Sequence, residues 1–146
     1  MKVLIEGTKS LRGVNRREIR KAAKTVLRLL NLDGAELSIL LVGDEEMRGI
    51  NAEYRGKDRP TDVISFAMSD GEFPGLNKDI LGDVVISLDT ARRQAVERGV
   101  SIRQEVDFLL IHGILHLNGY DHERGEPERL KMEKKERELI KELEQV

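Results

Sequence analysis

The segment from Ser101 to Leu117 constrains the fold of this chain more than any other stretch of its sequence. Ser101 and Gln104 have the spacing of a helical capping box, so a helix is predicted to begin there. The apolar residues that follow are numerous enough to cover most of a helix circumference: Ile102, Val106, Leu109, Leu110, Ile114 and Leu117. A helix with so little polar surface has to be surrounded by other elements. We therefore expect it at the centre of the fold.

The rest of the chain alternates between strand-like and helix-like patterns. Strands are predicted at 3–6, 36–42, 63–66 and 83–88, and further helices at 15–32, 44–54, 89–98 and 126–143. Asn15 with Glu18 predicts a second capping box, and Asp44 is predicted to cap its helix. Interleaved strands and helices of this kind predict an α/β (α+β) fold, with a small mixed four-stranded sheet and about five helices. At 146 residues, the range 1–146 is interpreted as a single domain.

The last predicted helix is strongly charged. Its charges are interpreted as a solvated face, because charge runs of this kind usually are. One side is predicted to pack on the domain, and that side carries Leu130, Glu133, Arg137, Ile140 and Leu143.

Charge and hydropathy exclude several classes of protein. The 25 basic and 27 acidic residues nearly cancel, so any contact with nucleic-acid phosphates has to be local. No apolar run approaches the roughly 20 residues of a membrane span, and the apolar start of the chain is short for a signal peptide. We expect a cytoplasmic protein that engages neither a membrane nor DNA. The chain has no cysteine, so disulfides are excluded.

All three histidines of the chain lie within residues 112–122. His112 and His116 are four residues apart, which places both imidazoles on one helix face about 6 Å from each other. Gly119 can end the helix in a left-handed conformation, so that His122 returns over the same face. Three neutral imidazoles with an open fourth position are typical of catalytic zinc. The sequence therefore predicts one Zn²⁺ per chain and a metal-dependent hydrolase.

Two other interpretations of the histidines stay open. The imidazoles could be satisfied polar side chains on a packed helix, with no ion between them. Alternatively, Asp121 or Glu123 could supply a fourth ligand, which would make a closed structural zinc site.

The spacing of the histidines also resembles the zinc-peptidase pattern H-E-x-x-H-x-x-G-x-x-H. His112, His116, Gly119 and His122 match it, but Gly113 stands where the peptidases carry the glutamate that moves protons. A metzincin-like zinc peptidase is therefore an alternative that would need an acid/base group from elsewhere in the chain.

A loop rich in glycine and proline supplies cations before the third strand. Arg55, Lys57 and Arg59 lie there, and a metal with a positioned arginine could together stabilise the charge that gathers during phosphodiester cleavage. The other interpretation of this loop is a solvated surface. The sequence leaves open whether water or the 2′-hydroxyl of RNA would attack the phosphate, and which group would act as general base.

Four motifs in the same order resemble those of the YbeY family of bacterial endoribonucleases and ribosomal RNA maturation factors. They occupy 54–58, 61–66, 81–87 and 112–122, and the resemblance runs from about residue 40 to 143. One departure is Ala67, where the family commonly has proline.

The resemblance implies a single metal-dependent domain with zinc held by His112, His116 and His122. It also implies that Arg55 is catalytic. Lys57 and Arg59 are candidates for substrate binding because they lie in the same cationic loop. The implied activity is cleavage of single-stranded RNA in small-subunit ribosomal RNA 3′-end maturation and ribosome quality control, with small-subunit components as partners. A noncatalytic assembly factor stabilised by zinc remains the other alternative.

Overall fold

A computed structural model of the chain describes residues 2–7, 11–68 and 80–145. Four strands and five helices follow one another in the order β1 (Lys2–Gly7), α1 (Arg16–Leu29), β2 (Glu36–Val42), α2 (Asp44–Arg55), β3 (Val63–Ala67), β4 (Ile80–Ser87), α3 (Leu88–Arg98), α4 (Ile102–Leu117) and α5 (Glu126–Glu144). Among these helices, none has the length and apolar character needed to cross a membrane.

The strands form one mixed sheet in the order β1-β2-β4-β3. β1, β2 and β4 run parallel, and β3 pairs antiparallel with β4 at one edge. In this register Ser65 lies opposite Val84 and Ala67 opposite Gly82. The structure confirms the predicted small mixed sheet of four strands with five helices.

The two faces of the sheet carry two separate apolar clusters, because side chains alternate along each strand. Val84 and Ile86 of β4 belong to the larger cluster, which also contains the buried residues of α1, α4 and α5. Val85 belongs to the smaller one, with Met47 of α2 and Ile64 of β3. Helix α4 buries nine of its residues and has the central position predicted from its apolar pattern.

Helix α4 lies close against the sheet at Gly113. A Cβ atom at this position would lie 2.8 Å from Cγ1 of Val84 and 3.2 Å from Oγ of Ser65. The Ser65 hydroxyl donates a 3.0 Å hydrogen bond to the Gly113 carbonyl oxygen. The absence of a side chain at 113 thus lets Val84 and Ser65 of the sheet approach the backbone of the helix.

Two of the predicted helix starts differ from the structure. Asp44 does not cap α2, whose N-cap is Gly43. The Asp44 carboxylate instead accepts hydrogen bonds from Ser87 and Thr90 and pairs with Arg93. These partners lie at the start of α3, so the acidic residue joins two helices rather than capping one. Both hydroxyls and the arginine keep the pKa of Asp44 below its usual value, although burial opposes them.

The predicted capping box of α1 is only half formed. The Asn15 side chain accepts from the backbone N–H groups of Arg17 and Glu18, while the Glu18 carboxylate lies 3.5 Å from Arg103 of α4. Helix α1 also ends three residues earlier than predicted, since Asn31 takes a left-handed conformation with φ 60°.

The buried side of α5 is also not the predicted one. Met132, Glu136 and Leu139 are its buried residues, whereas Leu130 is 50% exposed and Arg137 is exposed. Ile140 and Leu143 do pack partly on the core. The helix is therefore rotated relative to the predicted stripe, and this rotation turns Glu136 toward α4.

Candidate metal centre

The C-terminal end of α4 forms the turn that the glycine predicted. Gly119 has φ 93°, and its backbone N–H donates to the carbonyl oxygen of His116. The backbone N–H of Tyr120 donates to the carbonyl oxygen of Leu115, and the Tyr120 side chain packs partly on the core. These two bonds define a Schellman motif, in which a left-handed residue reverses the chain after a helix. The turn carries the chain from His116 on the helix back to His122.

The three histidines converge at this helix end, as predicted. Their ring centroids are separated by 4.8 Å (His112 to His116), 5.3 Å (His112 to His122) and 5.0 Å (His116 to His122). Nε2 of His116 lies 3.1 Å from Nδ1 of His122. One nitrogen from each ring can be chosen so that all three lie within 4.8 Å of one another.

This arrangement fits a single metal ion. Ligand nitrogens about 2.1 Å from a tetrahedral ion are about 3.4 Å apart, so small ring rotations bring all three into range. Burial lowers the pKa of His116, and the neighbouring rings of His112 and His122 lower it further. A lowered pKa favours the neutral imidazole, which is the form that binds a metal. Across residues 2–7, 11–68 and 80–145, this is the one such group of three or more potential ligands.

The two acidic residues of the turn do not complete a closed site. Oδ1 of Asp121 accepts from the backbone N–H of Glu123 at 2.9 Å, and Oδ2 lies 3.4 Å from Arg124. The hydrogen bond from Glu123 holds the pKa of Asp121 below its usual value, so this carboxylate is charged but engaged within the turn. Neither acid belongs to the ligand group. The structure thus favours a three-histidine site with an open position.

Glu136 is a residue of the centre that the sequence did not reveal. Its Oε2 lies 3.3 Å from Nδ1 of His112, and the residue is only 6% exposed. It lies among twelve other charged residues of α5, so composition could not separate it from them. The sequence feature that could have indicated its burial is its spacing, since it lies between Met132 and Leu139 on one helix face.

The predicted cationic residues lie at the end of α2 and in the loop that follows it. Arg55 is the last residue of α2, Gly56 ends the helix with φ 68°, and Lys57 and Arg59 follow. All three cationic side chains are exposed and, within the described parts of the chain, have no hydrogen-bond or ion-pair partner. Arg48, by contrast, is bound by both oxygens of Asp58. The loop therefore presents three cations to solvent.

A buried side chain holds this loop in place. Asn51 is 1% exposed and donates from Nδ2 to the Arg59 carbonyl oxygen at 2.8 Å. The interaction fixes the backbone of the loop without using any of its charges.

The loop and the histidines lie on opposite sides of β3. On one face Ser65 bonds Gly113 in the histidine-bearing helix, and on the other the Tyr54 ring meets Phe66 edge-on at 5.2 Å. Arg55 directly follows Tyr54. β3 is an edge strand, so both groups lie near the same border of the sheet.

A cavity of about 460 Å³ opens on the sheet face that carries α2. Tyr54, Phe66, Asp83 and Val85 contribute to its lining, but none of the histidines does. This cavity is therefore separate from the metal centre.

Comparison with known proteins decides the family. The sequence profile described as endoribonuclease YbeY matches residues 5–144. This chain belongs to the endoribonuclease YbeY family. It is 50% identical over 145 residues to endoribonuclease YbeY of Geobacter sulfurreducens, covering 99% of this chain and 97% of that protein. The Aquifex aeolicus member is 52% identical over 128 residues, covering 88% and 81% of the two chains.

A solved structure agrees with this membership. The solution structure of TM1509 from Thermotoga maritima matches with a TM-score of 0.65 and 25% identity, over 97% of this chain and 88% of that one. Membership in the YbeY family identifies the protein as an endoribonuclease, a hydrolase. The peptidase and noncatalytic alternatives are not favoured. The structure adds a reason against the peptidase, because position 113 faces Val84 and has no room for a glutamate.

Proposed function

We propose that this protein is a single-domain, zinc-dependent endoribonuclease that cleaves single-stranded ribosomal RNA. We place its work at the 3′ end of small-subunit ribosomal RNA and in ribosome quality control, together with small-subunit components. The observation that carries the proposal is the convergence of three histidines at the end of α4 in a chain of this family.

Zinc is the ion that the ligands favour. Imidazole nitrogens suit Zn²⁺, and three protein ligands with an open position characterise its catalytic sites. His112 and His116 on the helix, with His122 on the turn, would hold it. When bound, the ion supplies a Lewis acid and a positive charge beside the phosphate.

Arg55 is proposed as the residue that contacts the scissile phosphate. A guanidinium donates two parallel hydrogen bonds to nonbridging oxygens, and it retains its charge throughout the reaction. Arg55 is free to do so, since it has no partner within the described residues. An RNA strand that crosses the border at β3 would reach both the histidines and Arg55.

Lys57 and Arg59 are proposed to bind the RNA backbone beside this position. They follow Arg55 in the exposed loop after α2, where Asn51 donates a hydrogen bond to the Arg59 carbonyl oxygen. Their contribution is electrostatic and independent of base sequence. Specificity for ribosomal RNA would then come from the particle on which the enzyme works.

The proposal is tested with metal-stripped and zinc-reloaded protein on matched single-stranded and hairpin RNAs. We expect cleavage only after reloading and faster cleavage of the single strand. His116→Ala should show no cleavage and no zinc binding, whereas the exposed control Lys141→Ala should behave as the wild type. Loaded protein that binds RNA without cleaving it would favour an assembly factor, and casein cleavage that follows zinc content would favour a peptidase.

A further inference from the structure

Helix α5 brings a buried carboxylate to the metal centre. Two carboxylates are buried among the described residues, Glu105 and Glu136. Glu105 is paired with the guanidinium of Arg98 at 3.2 Å. Glu136 has no such cation; in the described parts of the chain its partner is the ring of His112.

The hydrogen bond to His112 does not fully compensate the Glu136 carboxylate for its loss of water. Removing the charged carboxylate from water is unfavourable unless a positive charge lies nearby, and a neutral imidazole N–H offsets only part of that cost. A cation among the three histidines would supply the missing charge through His112. The burial of Glu136 therefore points to the same ion as the histidine geometry does.

The contact also decides which nitrogen of His112 is available. Glu136 faces Nδ1, and a carboxylate can only accept, so the hydrogen of the neutral ring belongs on Nδ1. Nε2 then carries the lone pair that a metal requires. Met132 and Leu139 are buried on both sides of Glu136 and hold α5 in place. The carboxylate is therefore fixed, and its hydrogen bond also fixes the orientation of the His112 ring.

We propose that Glu136 is the positioning residue of the metal centre. Its carboxylate accepts from Nδ1 of His112, aims Nε2 at the ion and strengthens the ligand by its charge. It is not itself a ligand, since it lies on the side of the ring away from Nε2 and outside the ligand group. The inference rests on the proposed function only in requiring that the histidines bind a metal.

The test compares Glu136→Gln with Glu142→Gln. Both remove one charge from α5, but Glu142 is exposed and has no ion pair in the described chain. We expect Glu136→Gln to weaken zinc binding about 10- to 100-fold in competition with a chromophoric chelator. Glu142→Gln should match the wild type. The visible absorption of the Co²⁺-substituted protein should change in Glu136→Gln alone.

A purely structural role would give a different result. In that case Glu136→Gln would lower the thermal midpoint of the apo and zinc-loaded proteins equally, with unchanged zinc affinity and an unchanged Co²⁺ spectrum. That result would overturn the inference. Wild-type protein that binds no zinc would instead overturn the proposed function.

A second measurement uses the wild-type protein and does not depend on how the variant folds. In the zinc-loaded protein, ¹⁵N shifts of the His112 ring should show a protonated Nδ1 and a metal-bound Nε2. The reverse assignment would contradict the role of Glu136, whatever the activity of the enzyme.

Discussion

Arg55 illustrates how a single exposed residue can be tested without disturbing the fold. Arg55→Ala should leave zinc content and the thermal midpoint unchanged, because the side chain has no partner in the described structure. Cleavage should fall by a factor on the order of 10² to 10³, the usual loss of one transition-state donor. Arg55→Lys should recover part of the rate. Single-turnover cleavage and zinc content are measured on the same preparations.

A matched control is available on α1. Arg28→Ala removes another exposed, unpaired arginine and should cleave at the wild-type rate. Lys57→Ala and Arg59→Ala should mainly weaken binding, each reducing the slope of log affinity against log salt by about 0.7. Normal cleavage by zinc-loaded Arg55→Ala would show that Arg55 does not take part in the reaction and that the loop is a solvated surface.

Gly113 is a position in α4 that has no room for a side chain. Gly113→Ala should destabilise the protein by about 1 to 3 kcal/mol in urea unfolding, because its Cβ meets Val84 at 2.8 Å. The double variant with Val84→Ala should lose less than the sum of the two single changes. Gly113→Glu should be less stable still and should not cleave peptides. Wild-type stability of Gly113→Ala would contradict the observed contact.

Asp107 gives the fold a predictable dependence on pH. Burial raises its pKa to about 6, although Arg103 opposes this. The folded protein therefore binds more protons than the unfolded chain between about pH 4 and 6, and stability falls as pH rises through that window.

Asp107→Asn should remove this effect. The variant should be more stable than the wild type by about 3 kcal/mol at pH 7 and equal to it below about pH 4. Urea unfolding of both proteins from pH 4 to 7.5 gives the difference directly. If the free energies of unfolding of the two proteins differed by the same amount at every pH, Asp107 would be no less hydrated in the folded protein than in the unfolded one.

At the scale of elements, the turn after α4 decides whether His122 reaches the other two histidines. Gly119→Ala places a Cβ on a residue with φ 93°, which should cost about 1 to 2 kcal/mol and weaken zinc binding. Gly49→Ala is the control, since Gly49 lies exposed within α2 with no atom in the way. It should stabilise the protein by about 0.5 to 1 kcal/mol. Both are measured by urea unfolding and zinc competition.

The elements that sequence predicted well are those whose signals are local. The bounds of β2 and the capping box of α4 follow from patterns within a few residues, and both were confirmed. The role of Asp44 was not predictable, because its partners lie more than 40 residues away. Glu136 was missed for the same reason. Its burial depends on how α5 rotates against α4, and no pattern within α5 records that rotation.

For the whole molecule, the extent of the core predicts how it responds to loss of metal. The main cluster draws buried residues from three strands and four helices, so the fold does not depend on an ion. Chelation should leave the far-ultraviolet circular dichroism unchanged. It should lower the thermal midpoint by about 10 °C relative to protein in zinc at roughly a thousand times its dissociation constant. Global unfolding on chelation would instead show that the fold depends on the ion.

The positions of the three histidines also have a consequence for local opening. His112 and His116 lie on a central, largely buried helix, whereas His122 lies on a surface turn six residues beyond His116. We expect the helix to open only when the whole domain unfolds. An ion bound by all three histidines would link α4, which opens slowly, to the turn that carries His122, which opens readily. Amide hydrogens of the turn should then exchange with deuterium rapidly in the apo protein and slowly with zinc, while those in the middle of α4 keep one rate in both.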